Sequence, residues 1–211
     1  MPLQNRVDPY GRPNAVASRG TLMGNRGVLH DASKRIVASW RTRRWIACVL
    51  EFRGRHREVF GPRRYSELFF LDEATALSAG HRPCAECRHG RYEEFRAAWA
   101  AGQGRKGERP GADEMDRTLH GERNESAPGA PRLVARISSL PRGVMIELEG
   151  RPWLVLDGGL RPWRFEGYGP ARRVSTNARA RVLTPGSIVG AIRAGFLPAI
   201  HGSAIDARGR G

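Results

Sequence analysis

The chain has 211 residues, of which 36 are Lys or Arg and 21 are Asp or Glu, giving a net charge of +15 at pH 7 and an isoelectric point near 11.3. Its hydrophobic content of 40% is enough for a buried core, and no apolar run approaches the length needed to cross a bilayer. Three cysteines are too few for a disulfide framework, so a Cys-x-x-Cys pair behind a polar, proline-rich N-terminus predicts a reducing, cytoplasmic setting.

The positive charge points to a polyanionic partner, with nucleic acid the first expectation. Lys34 and Lys106 are the only lysines. The excess is therefore carried by arginine, the better bidentate ligand for phosphate and guanine.

In chain order, residues 1–18 read as an extended arm, because Pro2, Pro9 and Pro13 block regular structure. Arg19 to Asp31 follows, with Gly20, Gly24 and Gly27 beside Asn25 and Arg26. Such a run suits either a cradle for phosphate or a base, or a pair of turns between strands in which His30 to Ser33 closes a hairpin. Strands are predicted over Arg35–Trp40, Trp45–Phe52 and Arg55–Phe60. In the middle one Ile46, Cys48, Leu50 and Phe52 alternate with Trp45, Ala47, Val49 and Glu51, so Cys48 shares a face with apolar side chains. Arg41, Arg43 and Arg44 lie between strands, and Arg63 and Arg64 follow them. Together with Arg82 and Arg88 they are the candidate phosphate contacts.

The stretch from Phe69 to Arg88, FFLDEATALSAGHRPCAECR, is the most informative. Asp72 suits an N-cap, Glu73 to Ala79 a short helix, and Gly80 the left-handed residue that ends it. Pro83 then prevents further helix and presents Cys84-Ala-Glu-Cys87, a spacing that turns two sulfurs toward one ion. Cys48 is the only other sulfur ligand upstream. Four histidines compete for a fourth position, His81, His89, His56 and His30, and His81 is preferred because His81-Arg-Pro-Cys84 ties it to the clip.

Beyond the clip, His89 to Ala101 predicts a helix with Tyr92, Phe95 and Trp99 on one buried stripe. Gly102 to Gly111 reads as a flexible linker, Ala112 to Glu122 as a short helix, and Arg123 to Pro131 as loop. Candidate strands then run over Leu133–Leu140, Val144–Glu149, Trp153–Leu156 and Trp163–Phe165, with Asp157-Gly158-Gly159 as a hairpin turn. Arg-Pro-Trp occurs at residues 151–153 and 161–163, which suggests equivalent strand starts. Thr184-Pro185 begins a helix through Ala194, capped by Gly195. The expected class is α+β: a small zinc-stabilised β-sheet with helices, plus a C-terminal β-rich region. The expected division is an arm over 1–18, a zinc-binding unit over 19–101, a linker with a short helix over 102–131, and the β-rich region over 132–211.

Phe69-Phe70, the Ala74 to Gly80 helix end and Arg82-Pro83-Cys84-x-x-Cys87-Arg88 resemble the metal-binding, methylphosphotriester-type domain of the bacterial Ada DNA-repair protein and its relatives, over residues about 45–88. That resemblance implies one zinc held by cysteines, with the first cysteine of the family's four able to accept a methyl group from a DNA phosphotriester. Here Cys48 alone stands for the earlier cysteine pair, so a zinc fold is implied more strongly than methyl transfer.

The leading expectation is a cytoplasmic, zinc-containing nucleic-acid-binding protein, DNA first, with a role in repair or modification open and Cys48 as the candidate nucleophile. One alternative is a zinc-dependent cytosine or adenine deaminase, because His56-Arg-Glu58 upstream of Pro83-Cys84-x-x-Cys87 matches the linear H-x-E, P-C-x-x-C signature. Pro62 argues against the helix that signature needs at Glu58. Another alternative is a protein-interaction module with a structural zinc.

Overall fold

The structure, a computed structural model, describes residues 1–54, 58–62, 64–125, 133–175 and 177–205, without the side chains of residues 124 and 125. It is α+β, as expected, and is built on two six-stranded sheets. No helix among the described residues is long and apolar enough to cross a membrane.

The N-terminal arm is part of the first sheet. Strands β1 (Arg6–Val7) and β2 (Pro13–Asn14) pair antiparallel around a turn in which the Asp8 carboxylate accepts the N–H groups of Tyr10 and Arg12 at 3.0 and 2.9 Å. Pro13 is tolerated because β2 is the edge of the sheet. Next come β3 (Leu22–Asn25), β4 (Ile46–Cys48) and β5 (Leu68–Phe70), then helix α1 (Glu73–Ser78) and β6 (Arg82–Pro83). The sheet order is β2-β1-β5-β3-β4-β6. The strand expected at Arg35–Trp40 is absent apart from a bridge between His30 and Ile36. Of the strand expected at Arg55–Phe60, residues 55–57 lie outside the described residues and 58–60 are not strand.

Helix α1 forms as its sequence predicts. Asp72 accepts the Thr75 N–H at 2.9 Å, and Gly80 ends the turn at φ +80°. Every residue of α1 is buried, because it touches β3 and β5 of the first sheet on one side and the second sheet on the other.

After β6 the chain enters α2 (His89–Gly102) and α3 (Ala112–Glu125). The second sheet follows: β7 (Val134–Arg136), β8 (Met145–Leu148), β9 (Arg151–Leu156), β10 (Gly159–Arg164), β11 (Gly167–Tyr168) and β12 (Arg179–Val182), in the order β11-β10-β9-β8-β12-β7. Helix α4 (Gly186–Arg193) packs on α2 so closely that a Cβ on Gly102 would lie 2.4 Å from the Gly190 carbonyl carbon. The two Arg-Pro-Trp segments do not begin equivalent strands. The first opens β9 and the second closes β10, which brings Pro162 opposite Trp153 in one hairpin.

The cores do not follow the divisions at 101/102 and 131/132. Tyr92, Phe95 and Trp99 of α2, with Met115 and Leu119 of α3, share a core with Ile146, Trp153 and Val182 of the second sheet and Ile188 and Ile192 of α4. A stripe at helical spacing shows which face is buried but not which sheet covers it. The first sheet has its own smaller core of Val7, Leu29, Ala47, Leu68, Phe70, Ala76 and Ala79. The start of α1 joins the halves. Asp72 accepts the Tyr168 O–H and the His201 N–H at 2.9 Å each, Glu73 accepts the Ala199 N–H at 2.8 Å, and Trp163 donates to Thr75 Oγ1 at 3.0 Å.

Candidate metal centre

Strand pairing brings the three cysteines together. β4 and β6 run parallel with Ile46 opposite Arg82 and Ala47 opposite Pro83, so continuing this register by one residue sets Cys48 beside Cys84. The Cys84 N–H donates to the Ala47 carbonyl at 3.0 Å and extends the ladder into the clip. The chain then turns, with the Arg88 N–H donating to the Cys84 carbonyl at 3.1 Å, and Cys87 returns toward the other two sulfurs as α2 begins. The three Sγ atoms all lie within 4.8 Å of one another, a spacing that could hold one metal ion.

The thiols also polarise one another. Cys84 is shifted toward thiolate, first by the hydrogen bond from Cys48 and then by the backbone N–H groups of Cys87 and Glu86; the Glu86 nitrogen is 3.4 Å from its sulfur. Cys48 is pushed up by donating to Cys84 and by burial. Burial also raises Cys87. Backbone N–H groups aimed at a clip sulfur are the usual support for thiolate ligands.

The pleat of the sheet decides what surrounds the sulfurs. Met23 of β3 stands opposite Cys48 on one side and Phe69 on the other, and these three side chains share one face with Asn25, Ile46 and Glu67. This face is the floor of a pocket of about 400 Å³ whose walls include Leu50, Phe52, Tyr65, Cys84, Glu86 and Cys87. The opposite face carries Ala47, Leu68 and Phe70 into the smaller core. All four alternating residues named from the sequence, Ile46, Cys48, Leu50 and Phe52, line the pocket.

His81 does not join the cysteines. It packs on the far face, with its ring centroid 4.6 Å from Phe70 and 5.1 Å from Trp45, and Arg26 Nε donates to its Nε2 at 3.3 Å. Gly24 makes room for it, since a Cβ there would sit 2.6 Å from the Phe70 ring and 3.3 Å from the His81 ring. Arg26 is itself buried, lies 3.9 Å from the Trp45 ring, and is pushed down to about 9, mainly by burial and then by Arg123. Among the described residues, His30 and His89 give no substitute ligand. His30 stacks on Phe60 at 4.6 Å and shares a hydrogen bond with Ser66, His89 is exposed with Nδ1 on the Ala85 carbonyl, and His56 lies outside the described residues.

Burial, then the charges of Arg26 and Arg123, hold the His81 imidazole well below its ordinary range. It is neutral in the fold, whereas the unfolded chain takes up a proton near pH 6.5. Stability should therefore be complete above about pH 6.5 and decline as the pH falls below it. In urea unfolding between pH 5 and 8, His81→Phe is expected to be less stable throughout, having removed the Arg26 acceptor, yet to have a flatter acid slope than the parent. Parallel slopes would show that His81 is not the titrating group.

The predicted arginines divide into two kinds. Arg41, Arg43, Arg44 and Arg64 are exposed, with no side-chain hydrogen bond or ion pair among the described residues, while Arg63 lies outside them. Arg82 and Arg88 are not available for phosphate. Arg82 is 2% exposed and makes two bonds to Asp116, at 2.9 and 2.7 Å, and Arg88 pairs with buried Glu73 at 2.6 Å. Proximity to the clip in sequence could not distinguish a surface arginine from one turned beneath it.

Glu58, the proton carrier of the deaminase alternative, is two-thirds exposed, pairs with Lys34 at 2.7 Å, and is not in a helix. Glu67 is the carboxylate that sequence reading missed. It is 2% exposed and lines the pocket, with Oε2 accepting the Phe60 N–H at 2.9 Å. The available signal was a single acidic residue inside Ser66-Glu67-Leu68-Phe69-Phe70, alternating onto the Phe69 face. Comparison with protein-family models, curated proteins and solved structures finds no match to this chain.

Proposed function

We propose that the chain is a zinc-centred protein that binds nucleic acid, with DNA the first polymer to test. The metal part is supported by the donor set: three thiols, one at the end of β4 and two in the turn that follows β6, are soft ligands that suit zinc, and they leave its fourth position to a group outside this set. The observation that carries the nucleic-acid part is the placement of Arg41, Arg43 and Arg44. They are exposed without acidic partners among the described residues and lie on the loop leading directly into β4 and Cys48. In contrast, Arg91, Arg105, Arg172 and Arg181 are all engaged with glutamates. The charge of +15 adds long-range attraction for a polyanion.

The test is the salt dependence of binding to labelled duplex and single-stranded DNA, read by anisotropy. Each phosphate contact contributes a slope of about 0.9 in log K against log salt for duplex DNA. The triple variant Arg41→Ala, Arg43→Ala, Arg44→Ala is expected to reduce that slope by about two to three. Binding insensitive to salt, or a triple variant equal to the parent, would instead favour a protein-interaction module built around the same centre.

A further inference from the structure

Several buried polar side-chain atoms have no partner among the described residues, and Glu67 Oε1 is the one that belongs to the pocket lining. Burying an acceptor without a donor costs stability, so an unmet carboxylate oxygen on a residue that lines a cavity marks a place for a ligand that brings the donor. The remaining lining narrows the ligand's shape. Phe52, Tyr65 and Phe69 supply aromatic surface and Met23, Ile46, Val49, Leu50 and Val59 supply aliphatic surface, in a volume of about 400 Å³ that falls within the range of small-molecule sites. Two charged groups stand by this lining: exposed Arg53 lies 4.9 Å from the centre of the Phe52 ring, and exposed Glu86 is itself part of it.

From this arrangement we propose that the pocket beside Cys48, Cys84 and Cys87 takes a nucleobase bearing an amino group, with Glu67 accepting the N–H of that base and Arg53 facing its phosphate. The inference rests on the nucleic-acid reading above for its ligand class and adds a base preference. Guanine, adenine and cytosine each present an amino donor, whereas uracil and thymine present one ring N–H between two carbonyl acceptors that repel a carboxylate. Flat rings suit the aromatic walls because every base has a face to stack. A base paired within a duplex has its amino edge engaged and its faces stacked, so the source is either a free nucleotide or an unpaired base in a strand.

Calorimetric titration of the zinc-loaded full chain with GMP, CMP, AMP and UMP, and with single-stranded oligonucleotides of dC and dT, separates these sources. Amino-bearing bases are expected to bind at least about tenfold more tightly than UMP or oligo-dT. Preference among mononucleotides identifies a free nucleotide as ligand, and preference seen only among oligonucleotides identifies an unpaired base in a strand. Glu67→Gln keeps a carbonyl for the Phe60 N–H and can turn its amide N–H toward the pocket, so it should lose or reverse the preference while retaining zinc and native unfolding. Equal binding of all bases by the parent, or an unchanged preference in Glu67→Gln, would overturn the inference. Salt-sensitive DNA binding with no base preference would overturn it alone, leaving the zinc-centred nucleic-acid reading in place. Failure of DNA binding together with a GMP preference that Glu67→Gln abolishes would do the opposite.

Discussion

The parent is expected to hold one zinc per chain, and Cys48→Ser, Cys84→Ser and Cys87→Ser are each expected to lose it, while His81→Ala keeps it. The three sulfurs converge within 4.8 Å, so removing any one leaves two ligands, too few to retain a tetrahedral ion against competing water and buffer. His81 lies on the other side of the sheet against Phe70 and beneath Arg26, and its loss changes packing rather than coordination. The loss should also appear in stability, because an ion bound only by the folded chain contributes about 4 kcal/mol when free zinc is a thousandfold above its Kd. Metal analysis of the purified variants, paired with denaturant unfolding with and without added zinc, measures both effects. A Cys48→Ser protein that still carries one zinc would remove Cys48 from the centre, and a parent that takes up none would remove the centre altogether.

The second large effect is expected at Asp116. Its carboxylate receives two hydrogen bonds from Arg82, and the two side chains are 4% and 2% exposed. Asp116→Ala leaves a guanidinium buried without its counter-charge, and breaking such a pair costs about 3–5 kcal/mol. The backbone cannot shift to relieve the charge, because β6 is paired with β4 and the Arg82 N–H donates to the Trp45 carbonyl at 3.1 Å. The double variant Arg82→Met with Asp116→Leu should recover most of the loss, since a packed apolar pair of similar volume removes both desolvation costs. Equilibrium unfolding distinguishes the cases. A loss below about 1 kcal/mol for Asp116→Ala would mean that the pair behaves as a solvated surface bridge.

Local chemistry was legible in the sequence, and the partners of each face were not. The Asp72 cap, the Gly80 stop, the Cys-x-x-Cys clip and the alternation that puts Cys48 with Ile46, Leu50 and Phe52 all depend on residues a few positions apart, where spacing determines direction. The arm was misread because three prolines argued against regular structure, yet Pro13 sits on an edge strand where no N–H is needed. The choice of His81 as fourth ligand failed for a similar reason: closeness in sequence to Cys84 says nothing about which side of the sheet the ring packs on. Arg82 and Arg88 looked like surface cations until Asp116 and Glu73 were found beneath them, one 34 residues away and the other 15. Glu67 was missed because its meaning depends on a cavity lined by residues from five separate segments.

Helix α2 begins two residues after Cys87 and ends against α4, with Tyr92, Phe95 and Trp99 in the larger core between. The capped start of α1 holds Tyr168, His201 and Ala199 of the opposite half by hydrogen bonds. Neither half is therefore a transferable module: excising the cysteine-bearing sheet at the end of α2 would strip one flank from the larger core and remove the Tyr168, His201 and Ala199 donors from the Asp72 and Glu73 carboxylates, leaving Asp72 only Thr75 and Glu73 only Arg88 and Arg91. Any graft of this centre onto another scaffold has to carry both sheets with it.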